Sequence, residues 1–334
     1  MSTNIRGLVN RVYREYLEPN DDVQSFTYLT TTVSSSATSV VYNGTALTSE
    51  EEDAMSSGSF IEIDQELMLI TAIDTASTTL TVMRAARGTT ADGHDADAII
   101  KINPPFPRKN VFDAVADQIT NLYPTLYAVE TVETTSGTGY TLLGSYSSPG
   151  TNNYLVTPIK AISQYTDWSA GSDQTGLTFK GVAVEMIDLP NPFTYTDSTS
   201  TERTITYTTG PDVVHALQFA GIAAGHTVYV TFKKKFVQPT LESNTLATIG
   251  LEDEYEPIIM AGVAAHMLSG RDIPAATTEY ITDQLGVANF PVGAASNIRN
   301  GLLSYQATLL EQAKKDLKAR YPEPVALNQI TYPS

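Results

Sequence analysis

Cysteine is absent from the 334 residues, so neither disulfides nor thiolate metal sites are available and the redox compartment stays open. Cations are scarce: 20 Lys and Arg stand against 37 Asp and Glu, for a formal net charge of −17 at pH 7. Holding a phosphate backbone takes clustered cations, which argues against a DNA-gripping protein but not against a surface that DNA slides past. The stretch MSTNIRGLVNRVYREYLEP lacks the apolar core of a signal peptide, and no window approaches a membrane-spanning run, so no membrane contact is expected. With 4 histidines, no Walker loop, no G-x-S-x-G elbow and no H-E-x-x-H, little remains from which to build an active site. The expectation is a protein that is not an enzyme and carries neither cofactor nor metal.

What is present centres on Glu252 to Gly270. Acidic residues crowd its front, Asp253 and Glu256 have the spacing of a capping box, and Pro257 belongs in a first helical turn. From Ile258 to Leu268 every residue but His266 is apolar or Gly, and a helix apolar all round is buried all round. Ile258, Ile259, Val263, Met267 and Leu268 are therefore expected at the centre of a helical bundle, with Gly270 and Pro274 ending the helix. Its partners share the same periodicity. Ile5, Leu8, Val9, Val12, Tyr16 and Leu17 form one stripe, capped by Ser2 or Thr3 and stopped by Pro19. Arg6, Arg11 and Arg14 fall on its solvated or partner-facing side. Phe112, Val115, Ala116, Ile119, Leu122 and Tyr123 form a second helix capped by Asn110, and a short piece follows at 275–285. Ile298, Leu302, Leu309, Ala313 and Leu317 form the last and longest helix.

Between these helices the period changes to two. Phe26 to Thr30 reads as a strand, and the acidic run Glu50–Asp53 lies in a loop. Phe60, Ile61 and Ile63, then Leu67 to Ile73, then Leu80, Val82 and Met83 give three strands of a small meander or barrel, with turns at Asp64-Gln65 and Asp74–Ser77. Glu62, Asp64 and Glu66 alternate as a solvent face would. His94 stands amid Asp92, Asp95 and Asp97, donors that suit a hard cation, but the EF-hand spacing is missing and a hydrogen-bonding strut is the expectation. From Tyr127 to Phe236 short strands between Gly, Pro, Ser and Asp turns predict a β-sandwich or jelly roll. Lys233, Lys234 and Lys235 read as protection of an edge strand. The fold expected is thus α+β and multidomain. A helical bundle is built from 1–22, 104–126 and 239–321, a small β-barrel is inserted at 23–103 and a β-sandwich at 127–238, and an extended C-terminal arm occupies 322–334.

The strand Gly-x-Phe-Ile-x-Ile at 58–63, Glu66 with Met68, Thr-Leu-Thr-Val at 79–82, then Arg84, Gly88, Thr89, Ala91 and His94 resembles a small β-module of virion proteins of tailed bacteriophages. The chain departs from that pattern at Ala85, where the pattern has Gly, and at Asp97, where it has another small residue. The helical segment 251–268, followed by a short and a long helix, is similar to the core of head-completion, or head-to-tail adaptor, proteins. That resemblance implies a homo-oligomeric ring of about twelve copies beneath the portal protein, touching stopper or tail-completion and other neck proteins. DNA then transits the channel without specific binding. The place implied is the virion neck, after assembly in the host cytoplasm. The alternative is another phage neck, tail or baseplate structural protein whose larger β-region binds a protein or carbohydrate, with Trp168 as a stacking platform or, more plainly, a core residue. In the arm, Val325, Leu327, Ile330 and Tyr332 are apolar at strand spacing, which suits a sheet edge or groove, with a frayed terminus as the plain alternative. The resemblance implies the portal or an adjacent subunit as its seat.

Overall fold

The computed structural model describes residues 4–17, 25–135, 141–142, 155–166, 177–190, 193–196, 202–205, 213–220, 226–269 and 295–321. Among them the chain is α+β, with six α-helices and antiparallel sheets. It gathers into two compact units, Met1–Gln118 with Pro239–Leu246 and Asp253–Leu309, and Ile119–Gln238 with Ala247–Glu252 and Leu310–Ser334. The stop at Pro19, Gly270 with Pro274, the short helix at 275–285, Trp168 and the arm residues Val325, Leu327, Ile330 and Tyr332 lie outside the described residues.

The sheet of the first unit contains β1 (Phe26–Tyr28), β2 (Ser39–Val41), β3 (Phe60–Ile63), β4 (Glu66–Asp74), β5 (Thr79–Met83) and β6 (Ile99–Ile102), in the order β1-β6-β3-β4-β5-β2. Its two edge strands are joined just beyond their ends: Thr30 N–H donates to Val41 O and Asn43 N–H to Tyr28 O, both at 2.9 Å, around a Leu29–Tyr42 bridge. A bulge between Ile70 and Ala72 supplies the extra twist that such curling needs. Strand alternation sends Leu29, Val40, Tyr42, Ile61, Ile63, Met68, Ile70, Leu80, Val82, Ile100 and Ile102 into one core. Phe26, Tyr28 and Ile99 stay on the exposed side. The acidic run is helical rather than looped: α2 (Ser49–Ala54) starts from a capping box in which Thr48 and Glu51 satisfy each other's backbone N–H groups. Tyr42, whose hydroxyl donates to Glu52 at 2.7 Å, ties α2 to the sheet.

The helices Ile5–Val12 and Glu256–Met267, and most of Arg108–Asn121 and Ala295–Arg320, belong to this unit. In α1 (Ile5–Val12) the stripe Ile5, Leu8, Val9 and Val12 is fully buried, and a π-helical turn at Tyr13–Leu17 continues it. The cap is Asn4, whose Oδ1 accepts from Gly7 N–H at 2.9 Å; Ser2 and Thr3 do not take that place. The helix α3 (Arg108–Asn121) begins before Asn110, so Asn110 lies in its first turn and does not cap it. The orphan N–H of Arg108 is taken instead by the Glu62 carboxylate. After α4 (Leu246–Ile249) a 3₁₀ turn at Asp253–Tyr255 leads into α5 (Glu256–Met267). No side chain caps α5, so the Asp253–Glu256 capping box does not form. Every α5 residue but Pro257 and His266 is buried. The last helix, α6 (Ala295–Arg320), buries Ile298, Leu302, Ala313 and Leu317.

The second unit is built on β7 (Ala128–Thr135), β8 (Thr141–Leu142), β9 (Leu155–Thr166), β10 (Leu177–Pro190), β11 (Phe193–Thr196), β12 (Glu202–Ile205), β13 (Val213–Ala220) and β14 (Thr227–Lys234). Where two facing sheets were expected, the described strands make one six-stranded sheet, β7-β14-β9-β10-β13-β8, and a separate β11–β12 hairpin. Ala161, Leu217, Val228, Val230 and Phe232 are its buried cluster. The lysine run does not guard an edge, because β14 pairs with both β7 and β9. Lys233 lies over the Tyr127 ring at 4.9 Å and Lys235 over Tyr123 at 5.4 Å, while Lys234 pairs with Glu130.

Candidate functional site

Arg84 and His94 of the sequence motif converge on one carboxylate, Glu66, at the start of β4. Arg84, just past β5, presents its fork to it, Nε to Oε1 and Nη2 to Oε2, both at 2.7 Å. Ala85 N–H and Asp92 N–H donate to the same carboxylate at 3.0 and 3.1 Å. His94 Nε2 adds a contact at 3.0 Å, and its Nδ1 reaches Asp64 Oδ2 at 2.9 Å across the β3–β4 turn. Arg84 Nη1 also donates to the carbonyls of Ser34 and Ala37, and Nη2 to that of Asp92. One ion pair therefore ties together the segments around Ser34, Ala85 and Asp92.

Thr89 and Gly88 serve the same turn. Thr89 is buried, its hydroxyl donating to Ala86 O at 2.9 Å and accepting from Leu67 N–H at 3.2 Å. Gly88 has φ +81°, and nothing crowds it. Ala85 and Asp97, the two departures from the resembled pattern, both have positive φ, at 54° and 66°. Glycine suits such positions and an aspartate tolerates them, whereas the Cβ of Ala85 is strained there. Arg87, with φ +51°, lies 4.3 Å from the centroid of the Phe60 ring.

The electrostatics follow from the geometry. Burial opposes the charge on Glu66, but the Arg84 fork, the two backbone N–H groups and His94 outweigh it and hold its pKa down to about 2. The bond to Asp64 raises the His94 imidazole against the effect of burial, with Glu66 adding to it. Asp64 is lowered in turn, first by that bond to His94. The alternating Glu62, Asp64 and Glu66 are not a solvent face: Glu62 and Glu66 are buried, and only Asp64 is exposed. The sheet curls and α3 covers β3 at Glu62, so alternation no longer separates inside from outside there. Of the acidic loop residues near His94, Asp92 contributes its main chain to the cluster, and its carboxylate accepts from Gly93 N–H at 2.8 Å. Among the described residues no group of three or more His, Asp or Glu side chains is placed to hold a metal ion.

Two further buried carboxylates repeat the theme in the helical part. Glu256, at the first position of α5, is 1 % exposed and paired with Arg11 of α1. Glu242 accepts Arg108 Nε and Nη2 at 2.8 and 3.0 Å, with Arg6 Nε at 3.4 Å. Removing one member of such a buried pair costs roughly 3–5 kcal/mol, because the other is left uncompensated. Of the three arginines expected on one outward side, Arg14 is exposed, Arg6 reaches Glu242 from a mostly exposed position, and the partly buried Arg11 clamps Glu256. Local periodicity carries no sign of these pairings, since Arg11 and Glu256 are 245 residues apart. Ile258, Ile259, Val263, Met267, Leu268 and Leu302 are buried, and Leu309 is partly buried. Gly262 faces Gln118 of α3 and Gln306 of α6, whose side chains bond to each other at 3.0 Å. The chain matches no protein-family model and no curated protein.

Proposed function

We propose that this chain is a structural protein of a tailed-phage virion, a head-to-tail adaptor that forms a homo-oligomeric ring below the portal. The observation that supports this most is the use of buried charge. Glu62, Glu66, Glu242 and Glu256 are all nearly inaccessible, and each is bonded to arginine side chains or a backbone N–H from a distant segment. Such bonding stiffens the joints between elements, as a part that transmits force between head and tail requires, and leaves these groups unavailable as acids, bases or nucleophiles.

In this reading α1, α3, α5 and α6 are the helical bundle core, the curled sheet is a small β-barrel insertion, and the sheet of the second unit is a larger β insertion. The ring touches the portal above and stopper or tail-completion proteins below. The arm at 322–334 adds Val325, Leu327, Ile330 and Tyr332 to the portal or a neighbouring subunit. The protein is neither an enzyme nor a cofactor carrier, and it acts in the virion neck after assembly in the host cytoplasm. Native mass measurement of the purified protein, alone and mixed with portal, is the test. A closed ring or a stoichiometric complex with portal is expected. A monomer in both samples with no cofractionation would overturn the adaptor reading, and glycan binding by that monomer would favour a tail or baseplate role instead.

A further inference from the structure

The His94 contacts have a requirement that the rest of the cluster lacks. Both partners of the ring, Asp64 and Glu66, are carboxylates that accept and do not donate, so only an imidazolium satisfies both at 2.9 and 3.0 Å. With His94 protonated, the two carboxylates are balanced by Arg84 and His94, and the four-group cluster is neutral. Loss of the proton leaves one ring nitrogen with a lone pair facing a carboxylate. The two ends respond differently because their surroundings differ. Glu66 is 1 % exposed and pinned by Arg84 and two backbone N–H groups, whereas Asp64 is 71 % exposed and sits on a two-residue turn with φ +55°. A neutral ring therefore keeps its N–H toward Glu66 and gives up Asp64, which has water to turn to.

We propose that His94 is a one-proton latch: protonated, it clasps the β3–β4 turn at Asp64 to the 89–97 loop; neutral, it releases that turn while the Glu66–Arg84 pair stays closed. The loop it controls is part of the sheet's closure. His94 and Val33 exchange both backbone hydrogen bonds, at 2.8 and 2.9 Å, and Asp97 N–H donates to Leu29 O at 2.7 Å. The charged groups acting on the latch are Asp64 and Glu66 directly, Arg84 through Glu66, and Arg108 and Arg6 through Asp64. Because the imidazole is raised from 6.5, the clasp is at full strength below that value and is lost as pH rises through the higher folded value. Acid opens it only once Asp64 takes up a proton, and the bond to His94 holds that carboxyl below its ordinary value of 3.8.

The test follows the imidazole nitrogens and backbone amides of the full chain by nuclear magnetic resonance across pH 5 to about 9, a span set by the histidine range. Both ring nitrogens of His94 are expected to carry protons at the acid end, with a midpoint above that of an ordinary histidine. Asp64→Asn, at an exposed position that leaves the fold intact, brings that midpoint down. Exchange of the Gly93 and His94 amides, corrected for the intrinsic rise with pH, accelerates several-fold above the midpoint, while the Ala85 amide bound to Glu66 does not. In His94→Gln, which bonds without titrating, the corrected exchange is flat with pH. A His94 ring that is neutral throughout, or a pH profile in His94→Gln identical to that of the natural chain, would overturn the latch.

Discussion

Ala85 holds φ at +54° on an exposed turn while its N–H donates to Glu66, so the backbone there is fixed by a bond it cannot give up. An L side chain in that region loses about 1–2 kcal/mol, and glycine recovers most of it against roughly 0.4–1 kcal/mol of extra freedom in the unfolded chain. Ala85→Gly is expected to stabilise by about 0.5–1 kcal/mol, raising the calorimetric midpoint by roughly 1–3 °C. A fall would mean that the turn is held in some other way. Glu66 gives the opposite kind of handle. Its pKa drops from 4.5 to about 2, so the stability it adds is complete above 4.5 and disappears as pH falls through about 2. Urea midpoints of the natural chain should decline between those two values, and Glu66→Gln should show a shallower decline from a lower starting point. Parallel curves for the two would show that Glu66 contributes nothing through its charge.

At the level of the elements, α3, α5 and α6 meet where Gly262 leaves room for the Gln118–Gln306 hydrogen bond. A Cβ at 262 would stand 2.3 Å from both Gln118 Oε1 and Gln306 Nε2, so the amide pair must part. Ala gains about 1 kcal/mol over Gly inside a helix, and the broken bond returns about as much. Gly262→Ala should therefore be near neutral in the natural chain but stabilising by about 1 kcal/mol when Gln118 is already Ala. Equal effects in the two backgrounds, measured by denaturant titration, would remove the amide pair from the packing of these helices. The same elements divide by how readable they are. The stripe of α1, the all-round burial of α5 and the strands β3 to β5 follow from hydrophobic spacing, which is a local property. Thr48 and Glu51 did spell a capping box, but the acid-rich composition of 50–53 hid α2 behind a loop reading. The short β6 was missed because its partners, β1 and β3, are far from it in sequence. The motif residues Arg84, Thr89 and His94 were visible as a set. Glu66, which Arg84 and His94 share, was misassigned to solvent, because alternation reports which face a residue is on and not what later covers that face. The β14 lysines were misread for the same reason, since a strand's neighbours set whether it is an edge.

For the whole molecule the dominant quantity is the net charge of −17. Repeated around the proposed channel, it would repel phosphate and favour passage of DNA over retention. Fluorescence anisotropy with a labelled duplex at physiological salt should show negligible binding, and tight, salt-sensitive binding would point to a protein that handles nucleic acid. The proposed position is tested most directly by averaged electron cryo-images of the virion neck, comparing particles of the natural phage with particles carrying a bulky tag on this chain. Extra density in a closed ring immediately below the portal is the expected result. Tag density confined to the fibres, the baseplate or the capsid shell, with the neck unchanged, would contradict it.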